Sequence, residues 1–113
     1  MPSTLYVLSC EGESWYVGTT SSPLIRIPGH FRDVVDGWTP KWLISHKPIK
    51  VHEFYEILES TNSSDEENKK TEELIELYGI DKVSGGKYVY PVVRAAYIRK
   101  KSAGSKFISG KVA

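Results

Sequence analysis

Two short runs of β-branched and aromatic residues stand close together near the start of the chain. They restrict the fold more than anything that follows. Thr4 to Cys10 is an apolar run of strand length. Glu11-Gly12-Glu13-Ser14 is a four-residue turn, and Trp15 to Thr19 is a second strand. Two strands joined by so short a loop form an antiparallel hairpin. Gly18, near the end of the second strand, marks a place where another backbone or a ligand approaches closely.

A helix should follow. Ser21-Ser22-Pro23 combines hydroxyl N-cap candidates with proline at the first helical position. The pattern carries this helix toward Asp36 and stops it at Gly37, with Ile27, Phe31, Val34 and Val35 on one face. Arg26 and His30, four apart, share a different face. Pro28 and Gly29 call for a kink there, or for a helix that begins in earnest near Pro28. Trp38 to Lys47 has no clean period and reads as an ordered loop with room for a short strand. Val51 to Leu58 is the third strand. Thr61 to Asp65 is a turn and N-cap cluster that opens a helix over about Asp65 to Tyr78, and Gly79 ends it.

Ile80 to Gly86 reads as a structured loop, and a short strand around Lys87 to Val93 is placed to close the sheet. Beyond Arg94 a basic helical turn and a Gly/Ser/Lys tail are expected. The fold class is therefore α+β, a small mostly antiparallel three-stranded sheet flanked by helices in the order β-β-α-β-α. Residues 1–93 form the domain, and 94–113 a basic C-terminal segment.

Composition excludes several alternatives. The 113 residues suit one domain. No apolar run approaches the ~20 residues of a membrane span. Met1-Pro2-Ser3-Thr4 has no basic and apolar leader pattern, so an intracellular, non-secreted protein is expected. Cys10 is the single cysteine, which excludes an internal disulfide and a multi-cysteine zinc site.

The net charge of +1 conceals an asymmetry. Residues 82–113 carry eight basic residues and no acid, while residues 1–81 carry seven basic residues and all fourteen acids. A basic end interleaved with aromatics suits a polyanion, since phosphates pair with cations and bases stack on rings. A solvated tail would look the same on charge alone. Arg94, Arg99, Lys100 and Lys101 are the candidates there. The Trp38, Lys41, Trp42 and Lys47 stretch is a second basic-aromatic candidate for DNA contact, or else a set of anchors for a long loop.

Tyr6, Tyr16, Arg26, His30 and Glu67 are the polar residues singled out for chemistry. Each alone has an ordinary reading as a packing, surface or helix-terminal residue. Glu67 shares its helical face with Thr71, Leu74, Ile75 and Tyr78, so it points toward the sheet, where an acid needs a partner or a metal. Glu66 aligns with Lys70, Glu73 and Leu77 on a mostly solvated face, and takes the place of Glu67 if the register is off by one.

Taken together, these residues carry a resemblance. Leu5-Tyr6-Val7 and Tyr16-Val17-Gly18, ten residues from tyrosine to tyrosine, resemble the paired tripeptides of the GIY-YIG nuclease superfamily. Arg26-Ile27-Pro28-Gly29-His30-Phe31 resembles that family's arginine helix. Trp38-Thr39 with Lys47-Pro48-Ile49 resembles the loop before its third strand. Tyr78 to Gly86 is similar to a glycine-bearing segment of its phage- and large-virus-type branch. The resemblance covers about residues 4–90. The first tripeptide reads Leu-Tyr-Val, Thr19 stands where some members carry lysine, and Pro28 separates Arg26 from His30.

The resemblance implies a metal-dependent DNA endonuclease that hydrolyses phosphodiester bonds. In it Tyr6 is the general base or water-positioning group, and His30 takes or holds the tyrosine proton. Arg26 clamps phosphate, Tyr16 orients water or phosphate, and Glu67 holds one Mg²⁺ or Mn²⁺ ion. DNA is the implied partner, with a homodimer or a partner protein supplying specificity. A non-catalytic DNA-binding module on the same fold and a partner-binding structural domain are the alternatives.

Overall fold

The structure is a computed structural model that describes residues 2–32 and 39–112, with side chains as far as Lys101. Strand β1 (Ser3–Cys10) and strand β2 (Ser14–Thr20) form the expected hairpin, with Tyr6 opposite Gly18 and Leu8 opposite Tyr16. Gly12 and Glu13 take left-handed backbone angles in the turn. Strand β3 (Pro48–Ile57) pairs antiparallel with the other side of β1.

The fourth strand corrects the expectation. The closing strand β4 is Val83–Gly85, and it runs parallel to β2, so the sheet is four-stranded and mixed in the order β3-β1-β2-β4. Lys87 to Val93 is instead a 3-10 turn, Gly86–Val89, followed by the start of a helix. Three residues are too few to show a strand period, and Pro91, which donates no backbone hydrogen bond, favours a helix start over a ladder.

Among the described residues four helices flank the sheet. Helix α1 (Pro23–Gly29) starts with Ser22 at its N-cap and Pro23 inside, as expected. Its end comes early. Pro28 cannot donate, and the bonds that follow, His30 N–H to Ile27 O and Phe31 N–H to Pro28 O, are those of a tightened last turn. The remainder of the expected helix, with Val34, Val35, Asp36 and Gly37, lies outside the described residues, as does Trp38. Helix α2 (Lys41–Ser45) replaces the expected loop.

Helix α3 (Ser63–Tyr78) is capped by the Asn62 side chain, which accepts from the N–H groups of Ser64 and Asp65 at 2.9 and 3.1 Å. Gly79 ends it with a positive φ. Helix α4 (Pro91–Val112) replaces the expected tail and crosses the boundary drawn at residue 93. Among the described residues no helix is long and apolar enough to cross a membrane.

Strand alternation divides the core into two layers. Leu5, Val7 and Val17 face α3 and pack with Leu74, Ile75, Val83 and Tyr88. Tyr6, Leu8, Cys10 and Tyr16 face the other way and pack with Leu43 of α2 and Ile27 of α1. Trp15 stacks on Tyr78 with ring centroids 3.9 Å apart, which fixes the C-terminal end of α3 to β2. Arg94 straps α4 down by donating to the carbonyls of Val83 and Tyr88 at 2.9 and 3.0 Å, and to that of Ile80.

Glycine is required where layers meet most closely. A Cβ on Gly18 would fall within the Tyr6 ring, and one on Gly86 would meet Asn68. Gly29, in contrast, faces open space. Gly18→Ala should therefore cost about 1–3 kcal/mol through overpacking, whereas Gly29→Ala should be neutral or slightly stabilising. Urea unfolding of the two variants tests this, and equal effects would contradict it.

Candidate active site

The hairpin register determines where the tyrosines stand. Tyr6 and Tyr16 alternate onto the same face of adjacent strands, and both are buried. The absent side chain at Gly18 lets the Tyr6 ring lean across β2. Helix α1 lies on this face through Ile27, and its last turn delivers His30. The His30 Nε2 atom lies 2.7 Å from the Tyr6 hydroxyl. The same imidazole meets the edge of Tyr16, with ring centroids 5.9 Å apart. Pro28 thus does not pull His30 out of place.

The charges at the site follow from burial. Desolvation drives the Tyr6 phenol well above its ordinary pKa, and the neighbouring Tyr16 adds to this, while the Arg26 guanidinium acts in the opposite sense. Tyr16 is pushed up to about 12, by burial first and then by the Glu67 carboxylate. His30 is pushed down to about 4, by burial and then by the charge of Arg26. It is therefore neutral at pH 7, and its Nε2 can accept from the Tyr6 hydroxyl.

Glu67 completes the group. Strand β4 covers only Trp15 to Val17 of β2, which leaves the Thr19 N–H open at the sheet edge. Burial pushes the Glu67 carboxyl up, and a hydrogen bond from the Thr19 backbone pulls it part of the way back. Glu67 acts electrostatically on both tyrosines. Glu66 acts instead on Tyr55 of β3, on the other side of the helix. Of the two acids it is therefore Glu67 that stands beside the tyrosines. Its carbonyl accepts from Thr71 Oγ1 at 2.7 Å, which helps to hold that turn of α3.

All five residues singled out for chemistry therefore stand at one place. Among the described residues Glu67 has no ion-pair partner, and no group of three or more acids, histidines or cysteines gathers here. A half-buried carboxylate without a counter-charge suits a cation. With one protein ligand, that cation would have to be a hard, water-rich ion such as Mg²⁺ or Mn²⁺. Cys10, below the tyrosines, has its thiol pushed up to about 12 by burial, so it is no nucleophile.

The candidates for nucleic-acid contact are divided. Lys41 and Lys47 are exposed, at α2 and just before β3, and Leu43 seats α2 on the tyrosine face. Trp42 is half-buried, stacked on His46 with centroids 3.9 Å apart and covered by the Arg94 guanidinium. Arg94 itself is engaged with three carbonyls and is a fold strap. Lys101 pairs with Glu76 at 2.9 Å. Arg99 and Lys100 are exposed on α4, which packs through Val93 and Tyr97 on the α3 side of the sheet, away from the tyrosines.

Sequence reasoning missed the Thr19 N–H that anchors Glu67, because a backbone donor leaves no trace in residue type. It also missed Leu43 as the cover over the tyrosines, although that residue is the apolar centre of Lys41-Trp42-Leu43-Ile44-Ser45.

No protein-family model matches this chain, and no curated protein or solved structure matches it significantly.

The position of His30 sets a measurable pH response. The unfolded chain takes up a proton near pH 6.5, but native His30 does not until about 4. His30 therefore makes stability rise with pH across that window. Its imidazole resonances in NMR should titrate near pH 4 and move upward in Arg26→Gln, which removes the neighbouring charge. A midpoint near 6.5 in the native protein would contradict this geometry.

Proposed function

We propose that the chain is a metal-dependent DNA endonuclease with a GIY-YIG-type site. The observation that carries this reading is the convergence of Tyr6, Tyr16, Arg26, His30 and Glu67, from two strands and two helices, around one Tyr6–His30 hydrogen bond of 2.7 Å. Packing alone does not call for an exposed arginine, a neutral histidine and an unpaired carboxylate around two buried phenols.

Each residue has a task in phosphodiester hydrolysis. Arg26, always charged, forks onto the oxygens of the scissile phosphate. Tyr6 holds the attacking water. Water adds to phosphorus, the bond from phosphorus to the leaving oxygen breaks, and the leaving oxygen takes up a proton from solvent. The water proton passes to the Tyr6 oxygen as the Tyr6 proton passes to His30 Nε2. In the free protein the Arg26 charge depresses the basicity of His30. A phosphate on Arg26 neutralises that charge, so substrate binding itself raises the basicity of His30. Tyr16 orients water or phosphate from the neighbouring strand. Glu67 would hold one Mg²⁺ or Mn²⁺ ion, which supplies charge stabilisation for the leaving oxygen when bound. A single carboxylate gives weak metal affinity until DNA phosphate shares the coordination. The exposed Lys41, on the helix that Leu43 seats on the tyrosine face, extends the phosphate contact, which makes binding salt-dependent.

The test is cleavage of supercoiled plasmid and of a branched oligonucleotide with Mg²⁺, Mn²⁺ or EDTA. Wild type should cut only with metal, and Glu67→Gln should lose at least about a hundredfold in rate while still binding DNA. Binding without cutting by the wild type would favour a DNA-binding module on this fold. No binding at all would leave a partner-binding domain.

A further inference from the structure

Resting on the endonuclease reading for its consequence in cleavage, we propose that Asn68 is a positioning residue for Glu67. By gripping the chain where β4 leaves the sheet, it holds the Glu67 carboxylate against the open edge of β2.

Strand β4 ends its pairing at Gly85, opposite Val17. Gly86 then takes a left-handed backbone, with φ of 50°, and turns the chain away from β2. The N–H of the next residue, Lys87, lies outside the ladder. Asn68 supplies its acceptor, with Oδ1 at 2.8 Å. Only a bare glycine admits this grip. A Cβ on Gly86 would collide with Asn68 Oδ1 and press on the Asn68 Cα at 3.3 Å.

One turn further along α3 the close approach repeats. A Cβ on Gly85 would stand 2.8 Å from Thr71 Oγ1. Thr71 is fully buried, and its hydroxyl bonds the Glu67 carbonyl. Positions 68 and 71, three apart, lie on one side of the helix.

The order of these contacts fixes a direction. Gly85 meets Thr71 and Gly86 meets Asn68, so α3 runs opposite to β4 and to its parallel neighbour β2. From Val17, beside Gly85, Thr19 is two residues onward, about 6.6 Å along a strand. From Thr71, also beside Gly85, Glu67 is four residues back, about 6 Å along a helix. The two steps nearly match. They end where the Thr19 N–H bonds the Glu67 carboxyl. The grip of α3 on the end of β4 thus sets both the height and the rotation of the carboxylate.

Asn68 carries the tie to the sheet. No residue of α3 before Thr71 is buried, so apolar packing does not hold the turn that bears Glu67. The Thr71 hydrogen bond lies within the helix. Lys70 pairs with Glu53 of β3 on the opposite flank, between partly exposed groups, where screening weakens a pair. Metal-binding carboxylates depend on such outer contacts, and loss of one typically costs about 10- to 100-fold in metal affinity.

Amide hydrogen exchange of the full chain, free of metal and DNA, reads the placement directly. Thr19 N–H should be protected in the wild type. Asn68→Ala should exchange it at least about tenfold faster, while the amides of β1 and the urea midpoint change little. Asn68→Asp, which keeps the acceptor, should restore the protection. In cleavage, the Mg²⁺ concentration for half-maximal rate should rise about 10- to 100-fold in Asn68→Ala, with a smaller loss of rate at saturating Mg²⁺. An unprotected Thr19 in the wild type, or equal protection in Asn68→Ala, would overturn the proposal. Loss of protection throughout the sheet with a lower urea midpoint would make Asn68 an ordinary fold contact and overturn it as well. The Thr19 effect in a chain that never cuts DNA would support the placement and contradict the endonuclease reading.

Discussion

The ring of Tyr6 lies over the bare backbone of Gly18, and its hydroxyl meets His30 Nε2 at 2.7 Å. Much of the site depends on this one placement. The ring can lean across the sheet only because its cross-strand partner has no side chain. It meets an imidazole only because helix α1 ends in a tight turn after Pro28, with His30 as the first residue beyond it. A proline at this place usually weakens a helix. Here it ends one, and the end is where the histidine meets Tyr6.

Burial then pushes Tyr6, Tyr16, His30 and Glu67 toward their neutral forms. The phenols are raised, the imidazole is lowered and the Glu67 carboxyl is raised. The common cause is desolvation, and mutual repulsion strengthens it, Glu67 against the tyrosines and Arg26 against His30. An anion on Arg26 and a cation on Glu67 would each relieve one of these repulsions. On the proposed reading, substrate and metal therefore complete the electrostatics of the site as well as its chemistry. The rest of the fold serves to hold the two halves in register. Asn62 caps α3, Trp15 stacks on Tyr78, and Thr71 bonds the Glu67 carbonyl, so the carboxylate arrives at the edge of β2 left open beyond β4.

Much of this was legible in the residues themselves. The hairpin followed from two apolar runs around a four-residue turn, and Gly18 was readable as a point of close approach. Spacing favoured Glu67 over Glu66, since only Glu67 falls in line with Leu74 and Ile75, but it left the register open by one residue. What escaped was short or non-local. Val83 to Gly85 is a strand only because β2 offers it an edge, and three residues hold no period of their own. Helix α2 is five residues around one buried leucine. Arg94 was read as a cation for a polyanion, because residue type does not reveal that three backbone carbonyls surround it. Helix α4 escaped for a related reason. Its Gly- and Ser-containing stretch has low intrinsic helix propensity, so local pattern favoured a tail.

The claim at the centre of this account is that Tyr6 and His30 act as one proton-transfer unit. A double-mutant cycle on the rate of DNA cleavage tests it most directly, with Tyr6→Phe, His30→Ala and the combined variant compared under saturating Mg²⁺ and DNA. Residues that act as a unit are strongly non-additive. The account predicts that each single change lowers the rate to nearly the same level, and that the combined variant falls no further. Losses that multiply in the combined variant would show that the two side chains act independently, and would contradict it.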